Sequence, residues 1–444
     1  MKKRIQLSDH FTYKKLLQFT FPSIVMMIFT SIYSVVDGLF VSNFVGKTPF
    51  AAINLIMPVL NILGTFGYMF GAGGSALIAK TLGEQDRDRA NRLFSLFVYL
   101  SIAFGTLMMI FGIIYLRPIA VWLGAEGQLL EDCLLYGRIF ILALPAWILL
   151  YEFQLFFVTA EKPKLGLFVT VAAGVTNIVL DALFIIVFKW GLAGAAAASA
   201  LGQMVGGIFP LIYFGRKNNS LLKLTKTSFD GKAVVKCCTN GSSELMSGIA
   251  MSFVGIVYNM QLLKYAGENG VAAYGVLMYV SMIFSATFLG YSSGVAPVFG
   301  YHYGAGDHTE LKGLLKKSLV IIGAFSISML ILAEVLAHPI SAIFVGYDQQ
   351  LMKITVQGFV IYSFSYLFMG MAIFSSSFFT ALNNGLVSAL ISFLRTLVFE
   401  LGAVLLLPLI WEINGIWASI VVAEFMATVV GVAFMIALKK KYRY

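Results

Sequence analysis

The stretch Gly215-Arg-Lys-Asn-Asn-Ser-Leu-Leu-Lys-Leu-Thr-Lys-Thr-Ser-Phe-Asp-Gly-Lys-Ala-Val-Val-Lys236 is the longest polar segment of the chain, carries six Lys and Arg residues and falls close to the middle of 444 residues. Outward from it, on both sides, the sequence becomes a succession of long apolar windows closed by charges or by Gly, Asn and Pro clusters. Six precede it, at 16–42, 52–79, 93–116, 134–158, 165–188 and 191–214, and six follow, at 241–263, 271–299, 314–338, 354–381, 386–409 and 414–437. A hydrocarbon core about 30 Å thick needs about 20 apolar residues per helix, so each window predicts one membrane span. At 59% hydrophobic and 12% charged, the chain lies far from the soluble norm of about 45–50% and about 25%. The expected fold is an all-α integral membrane protein of twelve transmembrane helices. Its N-terminal lobe takes 1–214, a cytoplasmic linker 215–240 and a C-terminal lobe 241–444. Soluble enzymes, extracellular modules and DNA-binding domains are excluded.

The net charge of +10 therefore belongs to topology rather than to a nucleic-acid partner. With the N-terminus inside, 24 Lys and Arg residues fall in cytoplasmic loops and termini, six fall outside (Lys47, Arg117, Arg138, Lys189, Lys264 and Lys353) and Arg395 lies within a span. That bias places both termini in the cytoplasm. Met1-Lys-Lys-Arg resembles the basic start of a signal peptide, but no small-residue cleavage site follows at the right distance. The first window reads as an uncleaved span. Cys133 maps outside and Cys237 and Cys238 beside the cytoplasm, so no intrachain disulfide framework is expected.

Sliding the sequence by 221 residues aligns Ala51-Ala52 with Ala272-Ala273, Met57 with Met278, Gly73 with Gly294, Gly83 with Gly304, Asp86 with Asp307 and Leu93 with Leu314. Matched Gly and Asp at loop positions are harder to obtain by membrane composition than matched apolar residues. The two six-helix halves enter from the same side, which makes this a parallel repeat about an axis along the membrane normal.

Charges inside the bilayer mark the chemistry, because an acid at a helix centre costs about 2.5–3.5 kcal/mol on insertion scales. Asp37 interrupts the apolar run Ile32-Tyr-Ser-Val-Val-Asp-Gly-Leu-Phe-Val41, roughly 8 Å below the outer edge. Asn177 and Asp181 are four apart and share a helix face, with Asp181 roughly 10 Å deep. Ser199 reaches a similar level, so Asp37, Asn177, Asp181 and Ser199 are expected to converge on one polar site in the first lobe. It is either an ion site or a hydrogen-bond network that glues the helices. The second lobe differs: Glu400 corresponds to Asp181 and Glu424 to Gln203, but Asp37 corresponds to Tyr258. Arg395 is expected to neutralise a carboxylate of a neighbouring helix. Glu244 serves either a helix N-terminus or a cavity, Glu152 lines a cavity wall, and Glu334 lies near the outer interface. Aromatic side chains such as Tyr33 and Tyr258 suit flat or cationic substrates. Pro22, fifteen residues before Asp37, permits a bend in the first helix. No zinc spacing, Walker loop, nucleophile elbow or dinucleotide fingerprint is present; no cofactor and no resident metal are expected, and transport is secondary rather than ATP-driven.

These elements resemble the multidrug and toxic compound extrusion (MATE) family, its bacterial MepA-like and DinF-like branches more than the NorM branch. The resemblance spans the chain and rests on Pro22 with Val36-Asp-Gly-Leu-Phe-Val41, Ala51-Ala-Ile-Asn-Leu-Ile-Met-Pro58, Gly73-Gly-Ser-Ala-Leu-Ile-Ala-Lys-Thr-Leu-Gly-Glu84, Asn177-Ile-Val-Leu-Asp181, Gly194-Ala-Ala-Ala-Ala-Ser199, Tyr303-Gly-Ala-Gly-Asp307, Arg395 and Gly415-Ile-Trp417. It implies V-shaped lobes that alternate between inward-open and outward-open states in the bacterial inner membrane. It further implies a monomer that exports cationic amphipathic small molecules in exchange for protons or sodium ions and is not an enzyme. The family's cation site matches Asp37, Asn177 and Asp181, with Na+ at Asp37 and Asp181 as one form of it, and its helix 6 hydroxyl matches Ser199. The substrate cavity implied takes in Tyr33, Glu152, Glu244, Tyr258, Arg395 and Glu400, with Pro22 as hinge. Thr159 stands where many relatives carry arginine, Gly241-Ser-Ser-Glu244 replaces a proline-bearing helix start, and helix 10 has no acid. Two alternatives are a lipid-linked oligosaccharide flippase of the same superfamily, which would carry many intramembrane Arg and Lys, and an integral-membrane enzyme, which would carry His, Asp and Glu clusters at one interface.

Overall fold

The computed structural model describes residues 5–444; Met1-Lys-Lys-Arg4, and the basic start read there, lie outside the described residues. The helices are α1 (Tyr13–Phe44), α2 (Lys47–Gly83), α3 (Arg87–Trp122), α4 (Gly127–Leu142), α5 (Leu144–Thr159), α6 (Pro163–Asp181), α7 (Gly191–Gly215), α8 (Gly231–Gly304), α9 (His308–Val345), α10 (Gln349–Ser363), α11 (Tyr366–Ala381), α12 (Gly385–Phe393), α13 (Leu401–Leu406) and α14 (Pro408–Tyr442). Among the described residues nine helical stretches are long and apolar enough to cross a membrane, and two pairs, α4 with α5 and α10 with α11, are bent by 56° and 48° and each make one more. The 74 residues of α8 make two spans, divided at Gly267, whose φ of 61° only glycine adopts freely. Twelve crossings result.

The repeat is visible at the corners. Asp86 caps α3 by accepting from Arg89 N at 2.9 Å, and Asp307 caps α9 by accepting from Glu310 N at 2.9 Å. The matched Gly and Asp are therefore the same corner twice: a helix end at Gly83 or Gly304, then an N-cap that satisfies an otherwise orphaned amide.

The halves meet on the side that holds these corners, the face that carries the basic loops. A Cβ placed on Gly83 would sit 2.8 Å from Ala305 N and against the Tyr301 carbonyl, and one on Gly304 would sit 2.8 Å from Lys80 C and against the Lys80 carbonyl. Both pairs, Gly83 with Gly304 and Lys80 with Tyr301, are 221 apart, so the seam is a pseudo-two-fold contact made by backbones. One layer in, Gly241 lies on Met69 and Gly290 on Ile24. Met69 and Gly290 keep the 221 register, but Ile24 and Gly241 are 217 apart. The first helix of each half has slipped by about one helical turn, which preserves its faces. In the other half of the same helices, a Cβ on Gly38, Gly255 or Gly275 would meet nothing within 4 Å. The lobes are zipped at the basic face and parted opposite it, in a V.

A strap reinforces the closed end. Residues 5–12 precede α1 without helix, yet Leu7 and Phe11 are fully buried. Leu7 N donates to Glu161 Oε1 at 2.7 Å in the corner between α5 and α6 of the first lobe. Phe11 N donates to Glu310 Oε1 at 2.9 Å, and the His10 ring lies 2.6 Å from Glu310 Oε2, at the start of α9 in the second lobe. One short segment thus ties both lobes together.

Candidate ion and substrate site

The sequence pattern puts Asn177 and Asp181 on one face of α6, and the small residues of α7 let that helix lie close: a Cβ on Gly202 would be 2.9 Å from the Ala173 carbonyl and 3.0 Å from Asn177 Cβ. This brings Ser199 of α7 between α6 and α1. Ser199 Oγ donates to Asp37 Oδ1 at 3.4 Å and Asn177 Nδ2 donates to Ser199 Oγ at 3.3 Å. Asp181 lies beside the Asp37 carboxyl. It is fully buried, and among the described residues its oxygens have no hydrogen-bond partner apart from the Asp37 carboxyl. The four residues expected to converge do so.

Directly after Asp181 the backbone changes to π-helix over Ala182–Val187, a geometry that widens the turn and recurs at functional sites. Tyr33, one turn before Asp37, faces that carboxyl and Tyr151. Tyr136 of α4, also buried, faces Asp37, Asp181 and Ser199. Sequence reading missed Tyr136; a polar hydroxyl in the amphipathic stretch of α4 was the only signal.

The second lobe holds a different arrangement. Arg395 Nε donates to both carboxylate oxygens of Glu424 at 3.0 Å and Nη2 to Oε1 at 2.6 Å, a forked pair. Arg395 is the second residue and Glu400 the last of a second π-helical stretch, Leu394–Glu400, and Glu400 lies within electrostatic reach of the pair. Tyr258 stacks on Tyr274 with ring centroids 5.0 Å apart and planes 7° apart, and Tyr274 stacks on Trp417 at 6.5 Å. The Tyr258 hydroxyl is buried without a described partner. Aromatic faces and an acid therefore share one region of this lobe.

The remaining expected residues are dispersed. Glu244 lies more than three turns past Gly231, where α8 begins under the Asp230 cap, so it serves no helix N-terminus; it faces Tyr68 of α2 and Arg395. Glu152 is fully buried, and among the described residues neither oxygen is hydrogen-bonded; its backbone packs on Gly71. It sits seven residues before the end of α5, towards the basic face and away from Asp37. Glu334 accepts from Ser363 Oγ at 2.5 Å. α1 runs as one helix across Pro22, whose ring lines a cleft near the basic face.

The family model described as MatE matches residues 22–183 and 245–405, two stretches separated by nearly the repeat register. The chain is similar to the multidrug export protein MepA of Staphylococcus haemolyticus, 26% identical over 81% of this chain and 80% of the relative, and to MepA of Staphylococcus saprophyticus, 24% identical over 97% and 94%. Among solved structures it is similar to an outward-facing multidrug resistance MATE family transporter, with a TM-score of 0.92, 22% identity and coverage of 99% of each chain. It is also similar to a MOP superfamily transporter from Pyrococcus furiosus, with a TM-score of 0.90, 21% identity and coverage of 100% of this chain and 99% of that one. With twelve membrane spans in two lobes and the family model fitted to both, this chain belongs to the MATE family of membrane transporters.

Proposed function

We propose that the protein exports cationic amphipathic small molecules by alternating access, driven by inward exchange of a proton or sodium ion at Asp37, Asn177, Asp181 and Ser199. The observation that carries the reading is the adjacency of Asp37 and Asp181 in a buried site where Asp181 accepts no hydrogen bond from a described residue other than Asp37. Two adjacent buried carboxylates cannot both keep uncompensated charge, so the pair takes up one proton or one cation. The names of the staphylococcal relatives, multidrug export proteins, support the substrate class.

The lobes are taken as 1–214 and 241–444, joined by 215–240, in the inner membrane with the basic face and both termini in the cytoplasm. The chain then works as a monomer that stands closed to the cytoplasm and open outward. Substrate is held between the lobes by Tyr33 and Tyr258, by the acids Glu152, Glu244 and Glu400, and at the edge of Arg395, while α1 moves about Pro22. An ion arriving from outside neutralises the Asp37 and Asp181 pair and expels the drug, because each relieves the same repulsion. That exclusion couples the two fluxes.

The test is Asp37→Asn in proteoliposomes, with pH and sodium gradients imposed separately. A neutral isostere keeps the packing, so normal abundance with loss of gradient-driven export is expected. Undiminished export removes Asp37 from the mechanism. If drug affinity rises with pH and is indifferent to sodium, the coupling ion is the proton; the opposite result assigns sodium.

A further inference from the structure

A cleft of about 870 Å³ opens at the basic face of the first lobe, away from the ion cluster. Its walls are the first turns of α1, the corner between α5 and α6, and the end of α7. Leu17, Phe21 and Pro22 form its apolar side, and Lys162, Lys164 and Tyr213 its polar mouth. Phe21 is 62% exposed and Leu17 37%, and Lys164 is exposed and makes no ion pair among the described residues. Phe168, one turn beyond Lys164 on α6 and on the same face, is also 62% exposed.

We propose that this cleft binds a single anionic phospholipid from the leaflet that meets the basic face. The mouth lies where α1 and α6 begin, at the water boundary of both spans, whereas Phe21 stands two turns into α1, roughly 12 Å deeper. That separation suits a phosphate held by Lys162 and Lys164 with acyl carbons laid along Leu17, Phe21 and Leu165. The volume falls within the range of ligand sites, about 300–1,000 Å³, and matches a headgroup with its first methylenes. Charge selects the occupant. Lys162 and Lys164 outnumber the one carboxylate in the lining, Glu161, whose Oε1 already accepts from Leu7 N, so the mouth repels the cationic compounds assigned to the transport site, and a free phosphate would leave the apolar wall uncovered. The lipid would also bear on moving parts, since Glu161, which holds the strap at Leu7, and Pro22 share the cleft wall.

The test is native mass spectrometry of the full chain released from nanodiscs of phosphatidylcholine with about one phosphatidylglycerol in five. One phosphatidylglycerol retained per protein in preference to phosphatidylcholine is expected. Lys164→Gln, on an exposed side chain, should weaken retention roughly fivefold, and Lys162→Gln with Lys164→Gln further. Phe21→Ser should weaken long-chain more than short-chain phosphatidylglycerol. Equal retention of the two lipids, displacement by millimolar inorganic phosphate, or retention unchanged in the lysine variants overturns the proposal. None of these readouts requires transport, so the outcome is independent of the ion-coupling reading.

Discussion

Gly83→Ala tests whether the backbone seam is the gate on the basic face. A Cβ at this position lies 2.8 Å from Ala305 N and closer still to the Tyr301 carbonyl oxygen. Ordinary contacts of carbon with a polar backbone atom are about 3.3–3.6 Å, and because the carbonyl oxygen is the nearer atom the lobes must part by more than about 1 Å at this point. Packed interiors resist such shifts, and overpacking costs about 1–3 kcal/mol. Backbone on both sides has no rotamer to yield, which places this site in the upper part, about 2–3 kcal/mol. The helix itself does not suffer, because alanine is a better helix former than glycine by about 0.8–1 kcal/mol. The loss therefore falls on the closed state alone and moves its ratio to the open state by about 30- to 150-fold. Gly304→Ala, the partner 221 residues on, should do the same, and the two together more. The assay is pulsed electron paramagnetic resonance between spin labels at Asp88→Cys and Lys312→Cys, exposed residues near the starts of α3 and α9, in nanodiscs. A longer distance population in Gly83→Ala is expected, with loss of transport because both states must be visited. Gly255→Ala and Gly275→Ala, which meet nothing within 4 Å, should change neither. A closed distance and normal export in both Gly83→Ala and Gly304→Ala would refute the gate.

Three further outcomes follow from contacts outside the seam. Glu424→Leu should lower stability by about 3 kcal/mol by stranding the Arg395 guanidinium, at the low end because 22% of that side chain is exposed; Arg395→Met with Glu424→Leu should recover most of it, with ion dependence unchanged, as read by thermal unfolding and gradient-driven uptake. Glu310→Gln, which weakens the hold on Phe11 N and His10, should speed hydrogen exchange in residues 5–12 roughly tenfold, and unchanged exchange would show that the strap is not a tie. Burial holds the His302 imidazole below its ordinary value despite nearby Glu310 and Asp307. The unfolded chain then binds that proton more readily, so this contribution to stability is full above about pH 6.5 and falls as pH drops through it; His302→Leu should flatten the loss in a melting series from alkaline to acid pH.

Hydropathy disclosed the spans because each is an apolar run bounded by charge, and the register of 221 disclosed the repeat because Gly83, Asp86, Gly304 and Asp307 do the same work at two corners. It did not disclose bends inside apolar helices. The turn between Leu142 and Leu144 and the π-helical stretches after Asp181 and up to Glu400 leave composition unchanged, so no window registers them; only Pro145, in the first turn of α5, left a trace. The convergence of Asp37, Asn177, Asp181 and Ser199 was legible since an intramembrane acid is expensive wherever it stands, and depth along a helix follows from residue count. The strap was not, because Leu7 and Phe11 among polar neighbours look like any solvated terminus until Glu161 and Glu310 are brought beneath them. Glu244 reads as a cap only if the helix starts at Gly241, and the Asp230 cap moves that start ten residues earlier.

The slip of one helical turn between the first helices of the two halves bears on why the lobes divide their labour. In the 221 register Asp37 faces Tyr258, and in the 217 register it faces Val254; no acid stands at either counterpart. Glu400, the counterpart of Asp181, therefore has no partner acid across from it and instead lies beside an Arg395 already committed to Glu424. A lone acid next to a satisfied ion pair has less to gain from an arriving cation than two acids pressed together. On this ground the ion exchange proposed above is assigned to the first lobe, and shape and aromatic surface to the second. Glu400→Gln should then alter drug affinity and leave the dependence of transport on the ion gradient intact. Loss of coupling with normal drug binding in that variant would place the ion in the second lobe and reverse the assignment.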